Sequence, residues 1–530
     1  MPTTNPNSWQ CFSWHYQVML FVTIAVFVAI ASIYWYLTCN YNYWKARGIP
    51  FPIPQLIFGN TKEITLLKTT IGEGLQNIYK KYEGCSFVGI YELRTPVLLL
   101  RDPKLIKLVL IKDFTHFQGR GIVSNESVDP LSANLINLWG PRWRVLRTKL
   151  TPAFTAAKIR NMFDLIAESS RQYKDFLKQY ADSEEDLEFR NLAAKFTTQV
   201  IGTCCFGLQT NAIQNEDSEF RKMCRKVIRR RLEMGLNPPD VTAFFLDAVR
   251  DLVEYREKYG VIRPDFMHLL MQIKNEGKVN GGGDCDINCH GSNSGKVADA
   301  TRILKDPDIV IDEKVMAAQA YIFFLAGFET SSTTMSFALH ELASNPKILN
   351  KLTAEIDTAL NKHRSFCYEA ISEMDYLDRV IQETLRKHPP VGMVPRLCNK
   401  AYKIPGTETV IEEGTKVLIP IHAIHRDPAY YSDPSLFDPD RFLDENKKSR
   451  EHCTFLPFGE GPRICIGTRF AYMQTKAGLV ALLSGYEVNL CSKSSIPLEY
   501  DPTANILTSK SGIWLKIRHR CKRNARSQFA

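Results

Sequence analysis

Phe458-Gly-Glu-Gly-Pro-Arg-Ile-Cys-Ile-Gly467 is the most specific stretch of the 530-residue chain. Its glycines permit positive φ angles and a close approach of the backbone to a flat ligand. Cys465 lies just before a helix-like segment, residues 468–485, and backbone N–H groups and the helix dipole favour a thiolate at such a position. These residues fit either a thiolate that binds a metal or a buried structural cysteine in a glycine-rich turn.

The complete pattern Phe-x-x-Gly-x-Arg-x-Cys-x-Gly resembles the haem-ligand loop of cytochromes P450 at every defined position. The resemblance implies that Cys465 is the axial thiolate ligand of haem b (iron protoporphyrin IX), whose electron donation favours O–O cleavage in this family. It also implies that Phe458 packs beside the sulfur and that Arg463 pairs with a haem propionate.

Trp143 and Arg147 are four residues apart on a predicted helix and therefore share one face. By themselves they fit an amphipathic helix with a stacked tryptophan. The P450 resemblance implies that both side chains contact haem propionates and that Arg396 has the same role. Arg120 is a weaker candidate for it.

The segment Ala326-Gly-Phe-Glu-Thr-Ser331 interrupts a long apolar helix. Glycine inside a helix costs about 1 kcal/mol relative to alanine, and an adjacent acid and hydroxyl are unusual in apolar surroundings. A threonine that donates back to the preceding turn is the structural alternative. The same sequence lies on the P450 helix that crosses the distal haem face. This resemblance implies that Gly327 leaves room for a ligand and that Glu329 and Thr330 relay protons.

Two further motifs resemble structural features of the family. Glu383 and Arg386 are three residues apart on a predicted helix, and the resemblance implies that Arg441 joins them in a buried network. The segment Arg263-Pro-Asp-Phe266 resembles the branch with vertebrate drug-oxidising and insect detoxifying microsomal P450s. The detailed spelling of the cysteine loop is most similar to the insect xenobiotic-metabolising group.

Segments with helical periodicity dominate from about residue 60 onward, whereas strand-like runs are short and few. The predicted helices cover residues 142–150, 158–180, 220–236, 241–259, 314–342, 347–360, 374–388 and 468–485. The predicted strands cover residues 86–93, 97–101, 409–411 and 416–419. The sequence therefore predicts a mostly α body with a small β portion, most of it near the N-terminal end of the body. The resemblance implies the cytochrome P450 fold.

The first 44 residues contain no Asp, Glu, Lys or Arg, and residues 18–37 form a twenty-residue apolar run. A helix of that length rises about 30 Å, which is the thickness of the hydrocarbon core of a bilayer. Aromatic residues at both ends suit the two membrane interfaces. The alternatives are a cleaved signal peptide, which needs a basic start and a shorter apolar run, and a buried core helix.

The pattern predicts a single N-terminal transmembrane helix at residues 18–38, preceded by a short lumenal N-terminus at residues 1–17. Lys45 and Arg47 follow the apolar run, so the remaining chain should face the cytosol. Alternating prolines predict a stiff hinge at residues 45–58. Residues 59–530 then form the haem-thiolate catalytic domain, which the family resemblance places at the endoplasmic reticulum membrane.

The chain has a globular composition, with 45% hydrophobic and 23% charged residues and a net charge of +10. This modest surplus suits a membrane surface or an acidic partner as well as nucleic acid. Fourteen sparse cysteines exclude a small disulfide scaffold. Residues 276–299, rich in Gly, Asn, Ser and Asp, predict a flexible insertion. The basic run at residues 516–526 predicts only a solvated tail.

The resemblance implies a monooxygenase reaction, R–H + O2 + two electrons + two protons → R–OH + H2O. The sequence contains no P-loop and no complete dinucleotide-binding fingerprint, so the electrons must come from a partner. In the family this is NADPH-cytochrome P450 reductase, docking near Cys465, with cytochrome b5 as an additional donor. Arg142, Arg144 and Lys149 could contact such an acidic partner, although a solvated basic face would look the same. No nucleic-acid partner is expected.

Three other functions stay open at this point. A donor-independent isomerase or dehydratase is disfavoured by the intact Glu329–Thr330 pair, and a haem sensor would need neither a proton relay nor a distal pocket. Oxidation of one endogenous lipid, steroid or hormone competes directly with broad oxidation of xenobiotics such as plant toxins or insecticides. The substrate pocket is predicted in segments 121–138, 318–328, 391–395 and 503–508. These segments are mainly apolar and suit hydrophobic small molecules.

Overall fold

The computed structural model describes residues 7–122, 124–208, 210–215, 218–228, 237–277 and 310–520. Helices account for most of these residues. The α-helices in these ranges are α1 (Asn7–Thr38), α2 (Tyr43–Ala46), α3 (Lys62–Thr65), α4 (Ile71–Lys81), α5 (Pro103–Lys107), α6 (Gly140–Leu150), α7 (Ala156–Asn161), α8 (Phe163–Ser183), α9 (Phe189–Ile201), α10 (Glu219–Ile228), α11 (Pro239–Tyr259), α12 (Phe266–Glu276), α13 (Glu313–Ser344), α14 (Pro346–His363), α15 (Tyr368–Ser372), α16 (Asp375–Lys387), α17 (Ile421–Ile424), α18 (Asp444–Ser449) and α19 (Thr468–Leu483).

Three small sheets accompany the helices. The strands are β1 (Phe87–Glu92), β2 (Thr95–Leu100), β3 (Asp186–Glu188), β4 (Val394–Leu397), β5 (Tyr402–Lys403), β6 (Val410–Ile411), β7 (Lys416–Ile419), β8 (Tyr486–Leu490) and β9 (Trp514–His519). The largest sheet has the order β1-β2-β7-β4, and only its β2–β7 pair is parallel. The other sheets have the orders β3-β9-β8 and β5-β6. The predicted fold class, mostly α with a small β portion, is confirmed.

The long helix α13 lies at the centre of the largest hydrophobic cluster and packs against α9, α11 and α19. Nearly every residue of α9 is buried, and its apolar residues Phe189, Leu192, Phe196 and Val200 recur with helical spacing, but this helix was not predicted. The predicted helix over 158–180 is divided into α7 and α8. Ile159, Met162 and Phe163 are all buried around the division, so the hydrophobic spacing continues across it. Of the predicted helix 220–236, residues 229–236 lie outside the described residues.

The distribution of strands differs from the prediction. Strands β1 and β2 come from the N-terminal part of the body, but their sheet is completed by β7 and β4 from near residue 400. The pattern did not predict β3, β4, β5, β8 or β9. Strand β5 has only two residues and β3 only three, which is too short for alternation to be read.

Helix α1 contains a 23-residue apolar stretch, Tyr16–Thr38, whose side chains are not buried by the rest of the protein. At about 1.5 Å per residue it is long enough to cross a membrane. The proline-containing segment that follows is packed on the body. The Trp44 indole donates to the Ile90 carbonyl oxygen at 2.9 Å, and the Gly89 amide donates to the Pro50 carbonyl oxygen at 2.9 Å. A Cβ at Gly89 would lie 2.4 Å from the Trp44 ring, so the glycine makes this contact possible.

Glu383 and Arg386 form a fully buried ion pair on α16. The Arg386 Nε and Nη2 atoms donate to the two carboxylate oxygens at 2.7 and 2.8 Å. Arg441 Nε lies 3.4 Å from the same carboxylate, and the Asp438 amide donates to it at 2.9 Å. Arg386 also donates to the carbonyl oxygen of His425 at 3.0 Å. The predicted three-residue network is therefore present, and it ties α16 to the segment 425–442.

A second buried pair closes α11 onto α12. Asp265 accepts two hydrogen bonds from Arg256, at 2.8 and 2.6 Å, and caps α12 by accepting from the His268 amide at 2.9 Å. Arg263 donates to the Gly207 carbonyl oxygen at 3.1 Å. A Cβ at Gly207 would lie 2.2 Å from the Arg256 guanidinium, and Gly207 has a φ of 66°. The Arg263-Pro-Asp-Phe266 motif is thus a structural corner.

Most of the predicted insertion lies outside the described residues, because the structure describes only residues 276 and 277 of the segment 276–299. The basic run 516–526 begins in β9, where residues 516–519 are paired strand, and residues 521–526 lie outside the described residues.

Replacement of Glu383 by Gln is expected to lower the free energy of unfolding by about 3–5 kcal/mol, because it leaves the buried Arg386 charge without its counterion. The measurement is urea unfolding followed by tryptophan fluorescence. Glu408→Gln is the matched control, since Glu408 pairs with Lys403 at 2.9 Å on the surface and is almost fully exposed. Equal midpoints for the two variants would contradict a central role for the buried pair.

Candidate active site

A cavity of about 580 Å³ lies between α13, α6 and the cysteine loop. This volume is typical of small-molecule sites. All nine site residues predicted from the sequence line it. They are Cys465, Phe458, Arg463, Trp143, Arg147, Arg396, Gly327, Glu329 and Thr330. The structure therefore brings together, in one cavity, residues from four separate parts of the chain.

The cysteine loop is held in a tight conformation. The Cys465 amide donates to the Phe458 carbonyl oxygen at 2.9 Å, and the Thr468 hydroxyl donates to the Cys465 carbonyl oxygen at 2.9 Å where α19 begins. Gly461 has a φ of 74°, and a Cβ there would lie 2.0 Å from the Leu110 carbonyl oxygen. A residue without a side chain is therefore required where the loop packs against residues 108–112.

The Cys465 side chain is exposed, and because it lines the cavity this exposure faces the cavity. Burial within the protein raises the pKa of the Cys465 thiol. The Gly467 amide, the Thr468 hydroxyl and the positive charges of Arg147 and Arg120 act in the opposite direction but do not outweigh burial. The helix terminus alone therefore does not produce the thiolate expected from the sequence. A bound metal ion would supply the missing stabilisation.

Four arginines converge on the cavity, and burial lowers the pKa of each. The pKa falls to about 8 for Arg463, about 9 for Arg396 and about 10 for Arg120, and it is also lowered for Arg147. Mutual repulsion contributes, since Arg120, Arg396 and Arg147 all act on Arg463. Arg120, the weaker candidate from the sequence, thus belongs to the same cluster.

Three of these arginines, Arg120, Arg396 and Arg463, contact carbonyl oxygens or a ring. Arg120 donates to the Ile136 carbonyl oxygen at 3.0 Å, and the Arg463 guanidinium lies 4.6 Å from the centre of the Trp143 ring. The Nε atoms of Arg396 and Arg463 are buried and have no hydrogen-bond partner. Within the described ranges no carboxylate forms an ion pair with any of the four. The cavity therefore presents concentrated positive charge suited to a ligand with two or more acidic groups.

A single cysteine lies beside these arginines. Among the residues that the structure describes, no group of three or more His, Cys, Asp or Glu side chains could enclose a metal ion. A metal at Cys465 would need a chelator that brings most of its own ligands. A planar, dianionic metal complex such as haem matches the single sulfur and the arginine cluster.

The wall opposite the cysteine is formed by α13. The Thr330 hydroxyl donates to the Ala326 carbonyl oxygen at 2.7 Å, which is the bond back to the preceding turn considered from the sequence. A Cβ at Gly327 would lie 2.3 Å from the end of the Ile201 side chain. Close packing of α9 on α13 is therefore one physical reason for this glycine, in addition to its position on the cavity.

Glu329 is buried and forms an ion pair with Arg190, from the first turn of α9. Burial raises the pKa of the Glu329 carboxyl, and the charges of Arg190 and Arg221 oppose that rise. Gln474 donates to the Gly327 carbonyl oxygen at 2.9 Å. Sequence reasoning missed Arg190 and Gln474, because nothing in the local pattern links either residue to a segment more than one hundred positions away.

The rest of the cavity is apolar. Each of the four predicted pocket segments contributes to it, for example through Ile122, Phe323, Val391 and Ile506. Many other lining residues were not predicted, and three of them illustrate why. They are Cys204 and Cys205, in a short π-helical segment after α9, and Val227 of α10. Their types are those of ordinary core residues, so they carry no sequence signal of a pocket.

Comparison with known proteins agrees with this architecture. The family model described as Cytochrome P450 matches residues 49–517. Cytochrome P450 6k1 of Blattella germanica is 37% identical over 506 residues, which cover 91% of this chain and 94% of the relative. In Drosophila melanogaster, cytochrome P450 6a2 is 38% identical over 526 residues and cytochrome P450 6a8 is 37% identical over 527 residues. Each alignment covers 94% of this chain and 99% of the relative. With a family match over most of its length and insect relatives of this similarity, the chain belongs to the cytochrome P450 family and is a P450 monooxygenase of the haem-thiolate class.

Proposed function

We propose that this protein is a membrane-anchored monooxygenase that holds haem b through Cys465 and oxidises hydrophobic xenobiotics such as plant toxins or insecticides. The observation that carries the proposal is the cavity itself. The Cys465 sulfur faces a mainly apolar space, and the four arginines near it have no carboxylate partner among the described residues; Arg396 and Arg463 are buried, and Arg120 and Arg147 are half-buried. When bound, a thiolate-ligated haem supplies the activation of O2 that the reaction needs.

The residues around the cavity fit that cofactor. The two propionates would pair with Arg463, Arg396, Arg147 and Arg120. Their negative charges would relieve the repulsion between the four arginines. Trp143 is buried, and its ring packs against Arg463, which fixes the direction of the guanidinium. Phe458 lies near Tyr472 at a ring distance of 5.5 Å and lines the wall beside the sulfur.

Protons would reach the reacting centre through α13. The Thr330 hydroxyl lines the cavity, and by releasing the Ala326 carbonyl oxygen it could donate into the cavity. Glu329 is adjacent in sequence, and burial raises the pKa of its carboxyl, which favours proton uptake relative to an exposed glutamate. Arg190 would keep the Glu329 side chain in place between proton transfers. Gly327 has no side chain, so the surface of α13 would leave space for the substrate at this position.

The substrate class follows from the apolar lining. On the side formed by Ile122, Phe323, Val391 and Ile506, attraction is non-directional and favours hydrophobic molecules of varied shape. Such a lining supports broad oxidation of foreign compounds more than recognition of one polar substrate.

Electrons would come from NADPH-cytochrome P450 reductase at the endoplasmic reticulum, with cytochrome b5 as an additional donor. The apolar stretch of α1 supports a single-pass anchor, with the catalytic domain on the cytosolic side next to Lys45 and Arg47. On α6, Arg144 is exposed and could meet an acidic partner, as could Lys149. Arg142 is already paired with Glu126 at 2.6 Å, so its charge is partly neutralised.

Replacement of Cys465 by Ser should abolish monooxygenation, because an alcohol cannot replace a thiolate as a strong metal ligand. The measurement is the visible spectrum of dithionite-reduced membranes with and without carbon monoxide. The wild type should give a strongly red-shifted Soret band that is absent in the variant. Cys453→Ser is the control, since Cys453 is a buried cysteine outside the cavity lining. Activity retained in Cys465→Ser would refute the proposed ligand.

Replacement of Thr330 by Ala should uncouple turnover, so that NADPH is consumed and hydrogen peroxide is released in place of hydroxylated product. Removing one proton-transfer group typically costs about 10²–10⁴-fold in the step that it serves. The measurement is the ratio of product to NADPH consumed with purified reductase. Thr358→Ala is the control, because the Thr358 hydroxyl makes the same bond back to the preceding turn, to the Ala354 carbonyl oxygen at 2.8 Å on α14, and Thr358 does not line the cavity. Unchanged coupling in Thr330→Ala would exclude the relay.

Replacement of Arg396 by Leu should affect the apoprotein and the holoprotein differently. The apoprotein should keep or gain stability, because an uncompensated buried charge is removed, whereas haem should be lost about tenfold faster because a charged hydrogen bond disappears. The measurements are urea unfolding of the apoprotein and transfer of haem to apomyoglobin. Arg256→Leu is the contrast, since it strands the buried Asp265 and should destabilise the apoprotein. Apoprotein destabilisation in Arg396→Leu with unchanged haem loss would contradict the propionate role.

A further inference from the structure

A chain of four hydrogen-bonded polar side chains, two of them buried and two half-buried, lies behind the cavity wall, and none of its members lines the cavity. At its centre is His388, the residue that follows α16. The His388 ring stacks on Phe337 with centres 4.5 Å apart and planes 8° apart. His388 Nε2 lies 2.7 Å from the Glu341 carboxylate, and His388 Nδ1 lies 2.9 Å from the Tyr500 hydroxyl. Arg426 Nη2 donates to the same hydroxyl at 2.5 Å.

The direction of each hydrogen bond is determined by the charges. Burial lowers the pKa of His388 to about 4, so the imidazole is neutral at pH 7 and carries one proton. Burial also opposes ionisation of Glu341, but the hydrogen bond from His388 and the charge of Lys387, 2.9 Å away, outweigh it and lower the pKa to about 2. The ionised carboxylate can only accept, so His388 Nε2 must carry the proton. His388 Nδ1 then accepts from Tyr500, which leaves the Tyr500 oxygen to accept from Arg426.

These four hydrogen-bonded side chains connect the elements that form two walls of the cavity. Glu341 is on α13, eleven residues beyond Thr330. His388 directly precedes the segment 390–395, which lines the cavity. Tyr500 belongs to a hairpin in which it is bridged to Ser509.

The turn of that hairpin brings Asn505 and Ile506 to the cavity. The two walls also touch each other, since the Leu507 amide donates to the Pro390 carbonyl oxygen at 2.9 Å. The four hydrogen-bonded side chains therefore fix both walls relative to α13, the helix that carries Thr330.

We propose that the Arg426–Tyr500–His388–Glu341 chain is a positioning device for substrate selection. By holding the walls 390–395 and 505–506, it sets the space available to the far end of a large hydrophobic substrate, while smaller molecules near Thr330 are unaffected. Tyr500 and His388 are positioning residues that do not touch the substrate. The inference rests on the proposed function only in requiring a haem in the cavity.

Tyr500→Phe in the full-length holoenzyme is the direct test. The substitution keeps the ring but removes the hydroxyl, so His388 Nδ1 loses its donor and Arg426 loses an acceptor. Two probes that bind haem iron are compared, so that an effect on the position of the walls can be distinguished from an effect on binding to the iron. Imidazole is small, and 1-dodecylimidazole has a long apolar chain that must extend along the walls. Their dissociation constants are measured from the Soret shift, which needs neither reductase nor turnover.

The expected result is about a tenfold weaker binding of 1-dodecylimidazole, as for one lost buried hydrogen bond, with imidazole binding unchanged. Tyr402→Phe is the matched control, because the Tyr402 hydroxyl donates to Asp113 at 2.7 Å and Tyr402 does not line the cavity. Its ratio of the two dissociation constants should equal that of the wild type. An unchanged ratio in Tyr500→Phe, or an equal change in Tyr402→Phe, would overturn the inference.

Two further results keep the outcomes distinct. If Tyr500→Phe does not accumulate as holoenzyme, Arg426→Met breaks the chain at its outer end and carries the same expectation. Hydrogen exchange of the Asp501 and Leu507 amides should accelerate in either chain variant and stay unchanged in Tyr402→Phe. Failure of imidazole to shift the Soret band of the wild type would refute the haem assignment itself, whereas a normal shift with an unaltered ratio would refute only the positioning role.

Discussion

The convergence of four arginines that have no carboxylate partner among the described residues is the constraint on which the active site depends. Arg120, Arg147, Arg396 and Arg463 come from four parts of the chain, two of them buried and two half-buried, and partial or full burial lowers the pKa of each. Burial of like charges opposes folding, and it persists only where other packing outweighs it or a ligand compensates it. An anionic cofactor therefore does more than occupy the cavity. Its binding is coupled to the stability of the walls that surround it.

Two buried arginines elsewhere in the described part of the molecule, in contrast, are paired with carboxylates. Arg386 pairs with Glu383 and Arg256 pairs with Asp265, each through two short hydrogen bonds and with almost no exposure to solvent. These compensated pairs fix helix ends and loops, and they would be costly to break whether or not a cofactor is bound. The distinction between compensated and uncompensated buried charge thus separates the frame of the fold from its binding site. It does so without reference to sequence motifs.

The parts of the site that the sequence predicts are those that lie in short motifs resembling motifs of the cytochrome P450 family. Each of these motifs spans ten residues or fewer, so it can be recognised in the sequence alone. They are the Cys465 loop, the Trp143–Arg147 pair and the Glu329–Thr330 pair. Arg190 pairs with Glu329 across 139 positions, and no local rule can reveal such a contact. Helix α9 was also missed, although its apolar residues Phe189, Leu192, Phe196 and Val200 recur with helical spacing. The pKa of Cys465 could not be inferred either, since burial acts on it from the whole fold and outweighs the helix terminus.

Selection in an apolar cavity must come from shape, because apolar side chains attract any hydrophobic surface without direction. Shape in turn depends on what holds the walls, which include the segments 390–395 and 505–506. Directional hydrogen bonds behind the walls can supply the missing precision. The neutral His388 ring is suited to this, since stacking on Phe337 and two opposed hydrogen bonds leave it one orientation. Substitutions that never touch a substrate can therefore change which molecules a cavity of this kind accepts.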